Sequence, residues 1–177
     1  MALPFSREQF FATFAAYSDA VSTGLLRVRS GRDFLPEPIL QRRFLPLRVL
    51  WALPCSAVGS LLGLLLICLG GTLRRADHTL EFALAPGQGQ VPRWAARCRF
   101  AAITFGHVIV GQSHEVLAAL RPHERVHVRQ YERLGLLFFL AYPASSLMAW
   151  LQGECPYLGN RFEQEAISLA SIGENRA

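Results

Sequence analysis

The sequence predicts an α+β protein held to a membrane by one N-terminal transmembrane helix, and three of its features carry that prediction. Val49 to Leu69 has no charged residue over 21 positions. Thr79–Leu84 and Phe100–Val110 have the β-branched and aromatic content of short strands. A helical stretch carrying His123-Glu124-Arg125-Val126-His127 follows them, just ahead of a second apolar block. The chain divides accordingly into an N-terminal helix and linker at 1–48, a transmembrane helix at 49–70, and a small folded domain at 74–177 that includes the apolar segment 134–151.

Taken in order, Ser6 is an N-cap with Gln9 three residues on, and Phe5, Phe10, Phe11, Phe14 and Tyr17 give the following dozen or so residues one apolar face. Ser22 to Pro46 is rich in Arg and Pro without a sustained period and reads as a linker. At 1.5 Å per residue, the 21 uncharged positions from Val49 match a hydrocarbon core of about 30 Å. The run starts too far from the N-terminus, and is too long, for a signal sequence. Arg42, Arg43 and Arg48 ahead of it are anchors at an anionic surface; with their neighbours they slightly outnumber Arg74, Arg75 and Arg93 beyond it, which favours an N-in orientation.

Gly87-Gln88-Gly89 marks a turn after the first strand, and Phe100–Val110 reads as one buried strand ended by Gly111. Ser113 caps a short helix over Glu115–Leu120. Pro122, whose missing N–H costs nothing at a first helical position, opens a new helix that carries the histidines to about Arg133. Leu134 to Leu151 is again uncharged, with Pro143 offering a bend in its middle, and a last helix spans about Asn160 to Ser171.

Composition agrees with a membrane protein. The 177 residues are 51% hydrophobic, with mean hydropathy +0.24, and the excess sits in the two apolar blocks. The net charge is +5, and all 18 basic residues are Arg, the mark of a GC-rich bacterial genome, which points to the bacterial inner membrane. Those arginines fall in pairs over several segments instead of lining one periodic face with aromatics between them, which argues against nucleic acid as a partner. Cys55, Cys68, Cys98 and Cys155 lack Cys-x-x-Cys spacing and read as packing residues; a Cys98–Cys155 disulfide would require an oxidising compartment.

Two histidines four apart on a helix project from one face, so both imidazoles can reach one Zn²⁺ at about 2.0–2.1 Å. Glu124 then lies beside the water such an ion would activate, placed to take its proton and pass it to a leaving amine. A catalytic zinc needs a third protein ligand and one open position. Downstream, Asn160-Arg161-Phe162-Glu163-Gln164-Glu165-Ala166 supplies two carboxylates.

Here the chain resembles the gluzincin class of metallopeptidases, in which a Glu on a second helix, often followed three residues later by Ala, completes a His-His-Glu site. Glu163 with Ala166 matches that spacing, and the resemblance implies His123, His127 and Glu163 as metal ligands, Glu124 as the catalytic base, Glu165 as the alternative ligand, and a zincin-like fold for residues 74–177. The stretch from Thr104 to Ala166 also looks like a group of small bacterial membrane proteins of unknown function. The opening from Pro4 to Tyr17 resembles the N-terminus of a family of multi-span bacterial membrane proteins, a likeness that ends near Val21.

If Leu134–Leu151 crossed the bilayer completely, His127 and Glu163 would end on opposite faces and could not share a metal. Sharing therefore requires a core helix, an interfacial helix or a hairpin bent at Pro143. Of the remaining candidates, His107 could line the substrate cleft from its strand, Tyr131 and Arg129 could stabilise an oxyanion, and His78 and His114 read as exposed and inert. The expectation is a membrane-anchored zinc peptidase acting on a peptide or membrane-proximal protein segment. The alternatives are a membrane protein that binds metal without turnover, and a structural two-span protein without metal.

Overall fold

The structure, a computed structural model, describes residues 45–85 and 101–175. The expected N-terminal helix, nearly all of the linker, the turn at 87–89 and Cys98 lie outside the described residues. Helix α1 spans Leu45–Cys68. Strands β1 (Thr72–Ala76), β2 (Thr79–Ala85), β3 (Ala102–Phe105) and β4 (Val108–Ser113) follow. Helix α2 (His114–Leu134) leads through a 3-10 turn at Gly135–Leu137 into α3 (Phe138–Leu151), and α4 (Arg161–Asn175) closes the order.

The α1 helix is the expected apolar segment, and it is amphipathic in size more than in polarity. Ala52, Ser56, Gly59, Gly63 and Leu66 recur at helical spacing and face the sheet. A Cβ on Gly63 would stand 2.5 Å from the Phe82 ring, and one on Gly59 would stand 2.8 Å from the Cβ atoms of Phe105 and Val108, so small residues are what let helix and sheet approach. The opposite side exposes Leu50, Leu61, Leu64 and Leu65. Leu47–Cys68 is long and apolar enough to cross a membrane.

The sheet order is β1-β2-β4-β3, with β2 and β4 parallel and the outer pairs antiparallel. Alternation sends Phe82, Val108 and Val110 toward Leu66 of α1 and Ala83 and Ile109 toward Leu117 of α2. Glu81, on the α2 side and 1% exposed, accepts two hydrogen bonds from Arg121 at 2.7 and 2.9 Å, which ties α2 to β2.

Several expectations are corrected. Phe100–Val110 is not one strand: Gly106, with φ +60°, turns the chain so that Phe105 pairs with Val108 and two antiparallel strands result. The strand β1 was hidden by Arg74 and Arg75, whose side chains are exposed. Helix α2 is continuous from its Ser113 cap and passes through Pro122, so the histidine motif lies in mid-helix instead of in a first turn. Tertiary contacts of Leu117, Leu120 and Arg121 offset the hydrogen bond that Pro122 cannot make. Pro143 does not bend the second apolar block: α3 runs through it, and the break falls at Gly135, with φ +55° and no room for a Cβ beside Trp51.

From Leu151 the chain reverses, and Asn160 hydrogen-bonds back to the Tyr142 carbonyl at 3.1 Å and to Ser146 Oγ at 2.7 Å. The α4 helix thus starts beside the middle of α3, not beyond its far end. The continuous segment His114–Leu151 is also long and apolar enough to cross a membrane. A crossing that carried α4 to the far face is incompatible with these contacts. Cys55 and Cys155 are buried and Cys68 is exposed, all three as free thiols.

Candidate metal centre

Mid-helix placement puts His123 and His127 one turn apart on the buried face of α2, at 4% and 7% exposure. Glu163 comes from the first turn of α4, where a helix N-terminus favours a carboxylate, and is 3% exposed. The three side chains form a buried group able to hold a metal ion. His123 Nε2 and His127 Nε2 are 3.1 Å apart, Glu163 Oε2 is 3.2 Å from His123 Nε2, and Glu163 Oε1 is 3.3 Å from His127 Nε2. Donor atoms at 2.0–2.1 Å around a tetrahedral ion are about 3.3 Å from one another. The two contacts to Glu163 use different carboxylate oxygens; taking one ligand atom from each residue, the three lie within 4.8 Å of one another, close enough to converge on one ion.

The ring of hydrogen bonds behind the site decides which nitrogen of His127 faces it. Gln130, fully buried, places its Nε2 3.0 Å from the Phe162 carbonyl and 2.9 Å from Glu165 Oε2. Both are acceptors, so this end of the amide must be the NH₂. Gln130 Oε1 then accepts from His127 Nδ1–H at 2.8 Å, which leaves Nε2 with its lone pair toward Glu163 and His123. Arg133 extends the chain by donating to both Glu165 oxygens at 2.7 and 2.8 Å. On the other side, the Tyr142 hydroxyl donates to Glu163 Oε1 at 2.6 Å. Burial pushes the Glu163 carboxyl up, but the His123 and His127 rings beside it outweigh burial and hold the group well below the usual carboxylate range.

Glu124, 5% exposed, accepts from the Thr104 hydroxyl of β3 at 2.6 Å through Oε2. That bond fixes the carboxylate at the wall of a cleft of about 410 Å³. The cleft is lined by β3, α2 and α3, and His123, Glu124, His127 and Glu163 form part of its wall.

Tyr131 lines this cleft, packed against Phe138 at a ring distance of 4.4 Å. Other expected site residues lie elsewhere. His107 is at the β3–β4 turn, not in a strand and not in the cleft lining; its Nε2 is 3.2 Å from Glu132 Oε1, and its backbone N–H donates to Ser56 Oγ at 3.0 Å. It ties the hairpin to α1 and α2. Glu165 is turned away from the histidines toward Gln130 and Arg133, so it supports His127 from behind instead of competing with Glu163. Arg129 does not line the cleft. His78 is exposed as expected, whereas His114 is buried, with Nε2 3.0 Å from Thr72 Oγ1.

Thr104, Gln130 and Tyr142 escaped the sequence reading. Gln130 alone had a local signal, three residues after His127 on the same helix face. Comparison of the chain with protein-family models, with curated proteins and with solved structures finds no match.

Proposed function

We propose that the protein is a membrane-anchored zinc peptidase, with His123, His127 and Glu163 holding Zn²⁺ and Glu124 acting as general base. The observation that supports this reading is the convergence of three buried ligand side chains within reach of one ion, with a separately anchored carboxylate at the wall of a cleft. Two imidazoles and one carboxylate, with a side open to the cleft, form the donor set and open position that suit catalytic zinc. Bound there, the ion would supply acidified water and polarisation of a substrate carbonyl.

The chain's own residues do the rest. Glu124, held through Oε2 by Thr104, takes a proton from the attacking water as its oxygen bonds to the carbonyl carbon. The same carboxyl returns the proton to the amide nitrogen as the C–N bond breaks, so the leaving group departs as a neutral amine. Gln130 orients the His127 ring so that Nε2 faces the centre, and Tyr142 holds the Glu163 carboxylate in place. The aromatic wall of Tyr131, Phe138 and Phe139 keeps the cleft dry.

Elemental analysis of detergent-purified protein tests the metal. Near-stoichiometric zinc in the wild type, lost in His123→Ala and in Glu163→Ala, is the expected result. Glu124→Gln should keep the zinc and lose peptide hydrolysis by about 10²–10⁴-fold. Zinc retained in both ligand variants, or none bound by the wild type after reconstitution, would remove the reading.

A further inference from the structure

The walls of the cleft decide what can occupy it. Among the described residues, the titratable acidic and histidine side chains that line it are His123, Glu124, His127 and Glu163, all of the proposed centre itself. No arginine among the described residues lines the cleft. A substrate's terminal carboxylate or acidic side chain would lose its water there and gain no cationic partner. Besides the hydroxyls of Thr104, Tyr131, Tyr142 and Tyr157, the wall is apolar, with Leu120, Phe138 and Phe139 from the helices and Ile103 and Phe105 from β3, around a volume of about 410 Å³ that suits large apolar side chains.

The cleft also has an apolar approach. Pro143 lines it and is exposed, and it lies in a stripe of α3 and the preceding turn that includes Leu136, Leu140, Leu147 and Leu151, spaced three or four residues apart. These leucines are 55%, 73%, 54% and 65% exposed, in a segment long and apolar enough to enter a membrane. An exposed apolar stripe therefore reaches the cleft at Pro143. Residues of β3 also line the cleft, and among the described residues β3 ends the sheet and pairs with β4 alone, an edge of the kind that can bond an extended chain.

We propose that the substrate is an extended apolar peptide segment of a bilayer-embedded protein, entering past Pro143 and held by apolar side chains on both sides of the scissile bond. This rests on the zinc peptidase reading. It makes the centre an endopeptidase for membrane segments and excludes soluble, charged peptides and carboxylate-directed trimming.

The full-length protein in phosphatidylcholine vesicles, loaded with zinc, tests this with two fluorescent peptides of membrane-spanning length. One has a Leu- and Phe-rich core; the other is identical except for Asp on both sides of its central bond. Binding is measured on Glu124→Gln and cleavage on the wild type. The apolar peptide is expected to bind and be cut between apolar residues, with the Asp peptide weaker on the order of a hundredfold or more. Ile103→Arg, at a cleft-lining position that is 38% exposed, is expected to narrow that gap in binding. Equal or better binding of the Asp peptide, or cleavage of water-soluble casein with the apolar peptide ignored, overturns the substrate class and leaves the peptidase standing. Zinc retained with both peptides bound and neither cut overturns the peptidase reading and the substrate with it.

Discussion

Replacing Gln130 by Met probes the support behind the metal centre. The two side chains are close in length and volume, so little cavity is opened and the loss is one of hydrogen bonding. Three bonds disappear: the one accepted from His127 Nδ1 at 2.8 Å, and those donated to the Phe162 carbonyl at 3.0 Å and to Glu165 Oε2 at 2.9 Å. Neutral bonds contribute about 1 kcal/mol each and one to a carboxylate about 1.5–3, while a buried group left unsatisfied adds to the loss. Glu165 is partly exposed and recovers water, which places the expected destabilisation near 3 kcal/mol. Without an acceptor at Nδ1, the His127 tautomer with a free Nε2 is no longer favoured, and zinc affinity should fall about 10–100-fold. Denaturant unfolding of the metal-free protein reads the first effect, and chelator competition reads the second. Gln130→Glu separates them, because it keeps an acceptor for His127 while losing both donated bonds: zinc affinity should be largely retained and stability lost. A Gln130→Met protein with zinc affinity within about twofold of wild type would refute the tautomer argument.

Tyr142→Phe removes the 2.6 Å bond to Glu163 without changing the aromatic packing, and chelator competition should show up to about tenfold weaker zinc binding with little change in unfolding midpoint. Zinc affinity should fall as pH decreases from 8 to 5, because protons compete with the metal for the ligand imidazoles. Glu163, held well below the usual carboxylate range, stays ionised through that window, so a zinc titration from pH 8 to 5 should show at most two protons competing per metal. Gly63→Leu would drive a side chain into the Phe82 ring, where a Cβ alone already comes within 2.5 Å; thermal unfolding should show a loss of at least about 1–3 kcal/mol, whereas Leu64→Ala, on the exposed side of α1, should be nearly neutral.

Local pattern determined much of this protein. An uncharged run of membrane length needs no partner to be read, because the cost of charge in hydrocarbon is paid residue by residue. The histidine pair is equally local, since a spacing of four on a helix dictates a shared face. Tertiary structure decided what periodicity does not encode. Pro122 and Pro143 are tolerated inside helices because neighbours hold α2 and α3 together, and the turns fall instead at Gly106 and Gly135. Arg74 and Arg75 masked an edge strand whose side chains meet solvent.

The supporting atoms of the site were the least legible. Thr104, Gln130 and Tyr142 acquire their roles from Glu124, Phe162, Glu165 and Glu163, which are 20 to 35 positions away in the chain. Only the return of α4 to the middle of α3, fixed by Asn160, brings Glu163 to the histidines. A carboxylate's place on its own helix says nothing about which element that helix will face, whereas the contacts that bury it do.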